Sequence, residues 1–153
     1  MKNFILVTIA GLLFCTGCKV QKENDTNKAL LMSYSRTPCF GTCEVFDVKI
    51  YDNGSVLIEK KQFMSEKGDF ALTLSNKELR QIESSLNEMS FCKLDSLYGV
   101  GVSDLPSSII TYQCGKEYKT VVAIMNYPNE IKALIENMAD LVKREDLTPL
   151  TFD

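Results

Sequence analysis

Between Val45 and Lys60 the chain can be little other than a β-hairpin, and that hairpin limits what the rest can fold into. Phe46, Val48 and Ile50 alternate with Asp47 and Lys49 along Val45–Tyr51, the pattern of a strand with one buried face. Asp52-Asn53-Gly54 is the strongest turn signal in the chain, because Asn-Gly accepts the positive φ angles of a type I′ turn. Ser55 to Lys60 returns as the second strand, and Phe70, Leu72 and Leu74 alternate again as a third. Upstream, Leu30 to Ser35 predicts a short opening strand at the sheet's edge.

Ser75-Asn76-Lys77-Glu78 is a capping box, in which a Ser hydroxyl and a Glu three residues on satisfy free backbone N–H groups. Leu79, Ile82, Leu86 and Met89 then recur at helical spacing, so a helix is predicted from Ser75 to about Met89. Phe91, Leu94 and Leu97 predict a short helical or irregular segment, and Tyr98 to Pro106 a loop. Ser108 to Gln113 and Tyr118 to Ile124 form a second hairpin around Cys114-Gly115-Lys116-Glu117. Pro128 then suits a first helical position, and Ile131, Leu134, Ile135, Met138, Leu141 and Val142 form an amphipathic helix ending at Lys143 and Arg144. Asp146 to Asp153 reads as a tail. The expected fold is α+β: a mainly antiparallel sheet built from two hairpin-then-helix units, with the helices packed on one face.

The start of the 153-residue chain is a different kind of segment. Met1-Lys2-Asn3 is basic, Phe4 to Phe14 is an apolar run of signal-peptide length, and Thr16-Gly17 places small residues before Cys18. That arrangement resembles the lipobox of bacterial lipoproteins, which implies cleavage after Gly17 and acylation of Cys18, with palmitate among the chains. Residues 1–17 are then a signal peptide, 18–28 a lipidated cysteine and polar tether, and 29–153 a single domain. The implied location is the bacterial cell envelope, anchored to membrane through the N-terminal lipid. Lys19 in place of an Asp leans the anchor towards the outer rather than the inner membrane. Without Met1 to Gly17 the formal charge moves from −3 to −4, and the absence of a basic block argues against nucleic acid as a partner. The chain has no His, which excludes His-based triads, His metal sites and His general bases. No cofactor or metal site and no catalytic constellation is called for.

Arg36-Thr37-Pro38-Cys39-Phe40-Gly41-Thr42-Cys43 is the densest chemical stretch. An exported chain meets oxidising conditions, so a Cys39–Cys43 disulfide is expected, with Gly41 permitting the bend. Closing so small a ring limits its entropic stabilisation to about 2 kcal/mol, so its purpose is to shape the loop and display Phe40. Cys92 and Cys114 are either a second pair or two buried thiols. The candidate binding loop comprises Arg36, Pro38, Phe40 and Gly41, joined by Asp104 and Pro106. The competing reading is a thiol-redox or copper-handling site on Cys39 and Cys43, since the C-x₃-C spacing resembles the copper loop of thioredoxin-like chaperones. Glu44 stands where those loops carry proline, and a strand rather than a helix N-terminus follows.

Taken together, Arg-Thr-Pro-Cys-Phe-Gly-Thr-Cys, the Asn-Gly hairpin, Leu-Ser before a helix, Tyr98 and Ser-Asp-Leu-Pro-Ser resemble a family of Bacteroidetes-type lipoproteins of unknown function. The resemblance runs from about Leu31 to Val142 and implies an envelope location and a shared fold, without an activity. The expectation is a non-enzymatic, lipid-anchored domain presenting a disulfide-shaped loop to an unknown protein or ligand. Inhibition of an extracellular enzyme is a further alternative.

Overall fold

The structure, a computed structural model, describes residues 28–99 and 104–151. The expected signal peptide, the lipidated Cys18 and all of the tether but Lys28 lie outside the described residues. In chain order the elements are β1 (Leu30–Arg36), β2 (Val45–Tyr51), β3 (Ser55–Gln62), β4 (Gly68–Thr73), α1 (Asn76–Glu88), a 3₁₀ turn (Phe91–Lys93), β5 (Leu97–Tyr98), β6 (Ser108–Cys114), β7 (Glu117–Ala123), α2 (Asn129–Leu141) and β8 (Thr148–Pro149).

All eight strands form one mixed sheet, in the order β5-β7-β6-β1-β2-β3-β4-β8. This overturns the expected pair of hairpin-then-helix units with helices on one face: the molecule is mainly a single sheet, with two helices. Three pairings account for the difference. β1 is central rather than an edge, pairing antiparallel with both β2 and β6 and so fusing the two hairpins into one ladder. β5 pairs parallel with β7, and the tail returns as β8 to pair with β4. Both edges are thus strands of two residues, with Pro149 removing a donor from one of them, and each covers only part of its neighbour: Val122–Ala123 of β7 and Phe70–Ala71 of β4.

Register explains the core. Val121, Ile110, Tyr34, Val48, Ile58 and Phe70 stand side by side across six strands, and all six are buried. Because side chains alternate along each strand, this row fixes which face is inside for the whole sheet. Each such apolar side chain contributes about 2 kcal/mol on burial. Ile131, Leu134, Met138 and Leu141 of α2 and Leu86 of α1 belong to the same core.

The first hairpin turns differently from the type I′ expectation. Gly54 has φ +82°, whereas Asn53 is not among the positive-φ residues. Gly54 N–H donates to Tyr51 C=O at 2.9 Å, and the Asn53 Oδ1 accepts from Ser55 N–H at 3.0 Å. The Asn side chain thus braces the turn while the glycine alone takes the left-handed conformation. A Cβ at Gly54 would also meet Leu74 O at 3.0 Å, and Gly54 O accepts from Leu74 N–H.

The predicted capping box is present on α1. Glu78 N–H donates to Ser75 Oγ, and the Glu78 carboxylate accepts from Ser75 N–H at 2.7 Å. Arg144, just past α2, donates to the same carboxylate at 2.7 Å and to Asp146 at 2.8 Å, latching the start of α1 to the end of α2. The Ser75 hydroxyl and backbone N–H, and then Arg144, lower the Glu78 pKa from 4.5 to about 2. A lowered folded-state pKa adds stability that is present above the unfolded value and is lost as pH falls through the folded one. Stability should therefore decline as pH drops from 4.5 towards about 2, and Glu78→Gln should flatten that slope in acid titrations followed by circular dichroism. An identical slope in the variant would refute the assignment. Ser75→Ala should cost about 1 kcal/mol in urea unfolding.

Candidate functional site

The cysteine loop is built on the end of β1. The β1–β6 ladder closes at Arg36 opposite Ser108, but the pairing continues one step beyond it. Thr37 N–H donates to Ser107 C=O at 3.0 Å, and Thr37 Oγ1 accepts from Ser107 N–H at 2.8 Å. Pro38 has no N–H, so the ladder stops there. Phe40 N–H then donates to Asp104 C=O at 3.3 Å, which ties the tip of one loop to the other. Cys39 and Cys43 are disulfide-bonded, with α-carbons 5.8 Å apart. Within that ring Gly41 N–H donates to Cys39 C=O at 2.9 Å, a three-residue turn centred on Phe40. Gly41 has φ +155°, and Phe40 projects with 91% of its surface exposed.

Sequence reasoning groups Pro38, Phe40 and Gly41 with Asp104 and Pro106, and the structure brings these two loops together. Arg36 is placed differently: it is the last residue of β1, in the buried-side row with Ser108 and Phe46. Its Nε is buried without a hydrogen bond among the described residues. Glu44, which follows the second cysteine, pairs with Lys143 at 3.3 Å and so pins the loop's exit to the end of α2. Beneath the loops the hydroxyls of Tyr34 and Ser108 meet at 2.9 Å, and burial pushes the Tyr34 hydroxyl's pKa up. Lys60 is buried in the same row, with its ammonium 4.4 Å from the centre of the Phe70 ring. That contact compensates part of its desolvation.

Two further apolar residues lie at the same end of the sheet, one of which, Phe63, sequence reasoning misses. Val45 pairs with Gln62, so the chain leaving β3 emerges beside the cysteine loop. Phe63 there is 53% exposed and has φ +57°. A bulky side chain in the left-handed region is strained, and such strain collects at functional sites. Leu105, between Asp104 and Pro106, is 42% exposed. Phe40, Phe63 and Leu105 give this end an apolar character. Phe63 leaves no signal in composition or periodicity, because its exposure follows from its backbone conformation. Leu105 lies inside the candidate loop and is legible as the apolar residue of Ser-Asp-Leu-Pro-Ser.

The opposite end of the sheet receives the chain. Ala29 N–H donates to Asp52 Oδ1 and its C=O accepts from Asp52 N–H, each at 3.0 Å. Lys28 lies 4.4 Å over the Tyr51 ring. The seven residues of β1, spanning about 20 Å, separate this entry point from the cysteine loop.

Among the described residues no group of three or more His, Cys, Asp or Glu side chains is placed to hold a metal ion. The model of a domain of unknown function (DUF6438) matches residues 30–142, nearly the span of the resemblance in the sequence. No curated protein matches the chain.

The second disulfide joins Cys92, in the 3₁₀ turn, to Cys114 at the end of β6, which resolves the open choice for these thiols. It closes 22 positions of chain against four for Cys39–Cys43. Loop-closure entropy then assigns roughly 3 kcal/mol to Cys92–Cys114 and roughly 2 kcal/mol to Cys39–Cys43. The paired Ser variants should lose stability in that order in urea unfolding. A larger loss from the Cys39/Cys43 pair would show that the small ring holds more of the fold than its own loop.

Proposed function

The chain belongs to the DUF6438 family, a domain of unknown function, and from that premise we propose that it is a non-enzymatic, lipid-anchored domain of the bacterial cell envelope that holds an apolar loop face out to a partner protein. In this reading Cys18 carries the lipid, in the outer membrane, and the Phe40 loop is the contact. The observation that carries it is Phe40: nine-tenths exposed, yet held by a disulfide and by backbone hydrogen bonds to a neighbouring loop. So much local constraint has no structural purpose on an aromatic that touches nothing. A pre-ordered loop loses less entropy on binding, and an exposed aromatic anchor is the usual centre of such a contact. Phe63 and Leu105 extend the apolar surface, and Pro38 and Gly41 set the loop's shape. The position of the loop, at the far end of β1 from Lys28, supports the same reading, because it faces away from where the anchor would enter.

Two measurements test it. Metabolic labelling with palmitate should mark the chain in producing cells and fail with Cys18→Ala; labelling that survives the substitution refutes the anchor. A photo-crosslinking phenylalanine at position 40 should trap a discrete protein adduct in intact cells, while the same group at the exposed Lys116, in the turn after β6, should not. Equal adducts at both positions, or none at position 40, would refute the contact.

A further inference from the structure

A groove of about 640 Å³ lies between α1 and α2. Its floor is the half-buried Ile82 over the buried Leu134 and Met138, and its rim carries Glu78, Glu88 and Asp140. It continues into a second hollow of about 330 Å³ that shares Ser85, Glu88, Leu134 and Asn137 and adds Glu130. The groove exists because α1 is a polar helix that buries only Leu86 completely, and presents Gln81, Ser84 and Ser85 towards its neighbour.

The charges on this surface do not cancel. The lining cation, Arg144, is already engaged by Glu78 and Asp146. Glu88, Glu130 and Asp140 have no ion pair among the described residues, although Glu88 accepts a hydrogen bond from Ser84 at 2.8 Å. An apolar floor between unpaired carboxylates is complementary to one kind of occupant: a helix with aliphatic side chains on one face and Lys or Arg along its flanks.

We propose that the α1–α2 groove is a docking site for a basic amphipathic helix of a partner protein. Each wall is 13 residues long, about 20 Å, which sets the length of helix that can lie along it. The aliphatic side chains cover the half-buried Ile82, and the flanking cations meet Glu88 on the α1 wall and Glu130 and Asp140 on the α2 wall. This surface involves no residue of the Phe40 loop, so either reading can fail without the other.

The test uses the full chain and two fluorescent Lys/Leu peptides of about 14 residues, matched to the wall length. One is amphipathic as a helix; the other has the same composition in scrambled order. Fluorescence anisotropy should show saturable one-to-one binding of the amphipathic peptide, about tenfold tighter than the scrambled one. The double variant Glu88→Gln/Asp140→Asn should weaken it about tenfold. Asn137→Trp, and separately Ser84→Trp, fill the groove from exposed positions without changing charge, and each should abolish the binding. Two such variants are used so that a folding defect in one, seen by circular dichroism, leaves the other to decide. Equal affinity for both peptides, undiminished binding to a folded groove-filled variant, or no saturable binding at all would overturn the proposal.

Discussion

The position of β1 is the constraint on which the rest of the structure depends. Its N–H and C=O groups are shared between β2 and β6, so seven residues hold together two hairpins that come from distant parts of the chain. Without that strand the Val45–Gln62 and Ser108–Ala123 hairpins would each expose an edge and a half-covered apolar face. With it, Tyr34 completes the buried row between Ile110 and Val48, and one face of the sheet becomes continuous. The pairing is long-range in sequence, between Met32–Arg36 and Ser108–Tyr112, so closing this ladder carries a larger loop-closure cost than either hairpin.

The same strand positions the candidate site. The chain leaves β1 at Arg36 and enters the cysteine loop at once, so the rigidity of the sheet centre is carried directly into the loop. Thr37 and Ser107 extend the ladder, the disulfide closes the ring, and Lys143 holds Glu44 at the exit. These constraints act on different atoms of the loop. A ring of this size would fix little on its own; fastened at its base and tip by backbone hydrogen bonds, it fixes the backbone from which Phe40 projects. Arg36 shows the limit of the arrangement, because its Nε is covered by the fold without receiving a partner among the described residues.

Much of this is legible in the sequence. Alternation identifies β2 to the residue, and the Ser75–Glu78 box marks the start of α1, because both signals are local: side-chain period in one case, a three-residue hydrogen-bond exchange in the other. The topology is not legible, for a physical reason. Alternation in Leu30–Ser35 says which side chains face inward, but it is silent on how many neighbours the backbone has. An edge strand and a central strand of that length read alike. Leu97–Tyr98 and Thr148–Pro149 are too short to carry any period, and both join the sheet only through partners far along the chain. At the candidate site the cysteine loop and Asp104–Pro106 are found by composition. Phe63 is not, since its left-handed backbone is imposed by the exit from β3.

An exposed Phe40 forgoes about 2 kcal/mol that the same ring would contribute if buried. Holding Phe63 with φ +57° costs a further 1–3 kcal/mol, roughly. A marginally stable domain retains such features only if the remainder over-determines them, and the buried six-strand row together with the Cys92–Cys114 bond supplies that margin. Phe40, Phe63 and Leu105 sit on loops at one end of the sheet. The end that receives Lys28 and Ala29 is tied through Asp52 and the Asn53 turn, and its half-exposed Tyr118 donates its hydroxyl to Leu30 C=O. Phe40 differs from the half-exposed Tyr118 in that its ring finds no hydrogen-bonding or packing partner among the described residues, while its backbone is fixed by the disulfide and by Asp104. It is on that difference that the proposed partner contact rests.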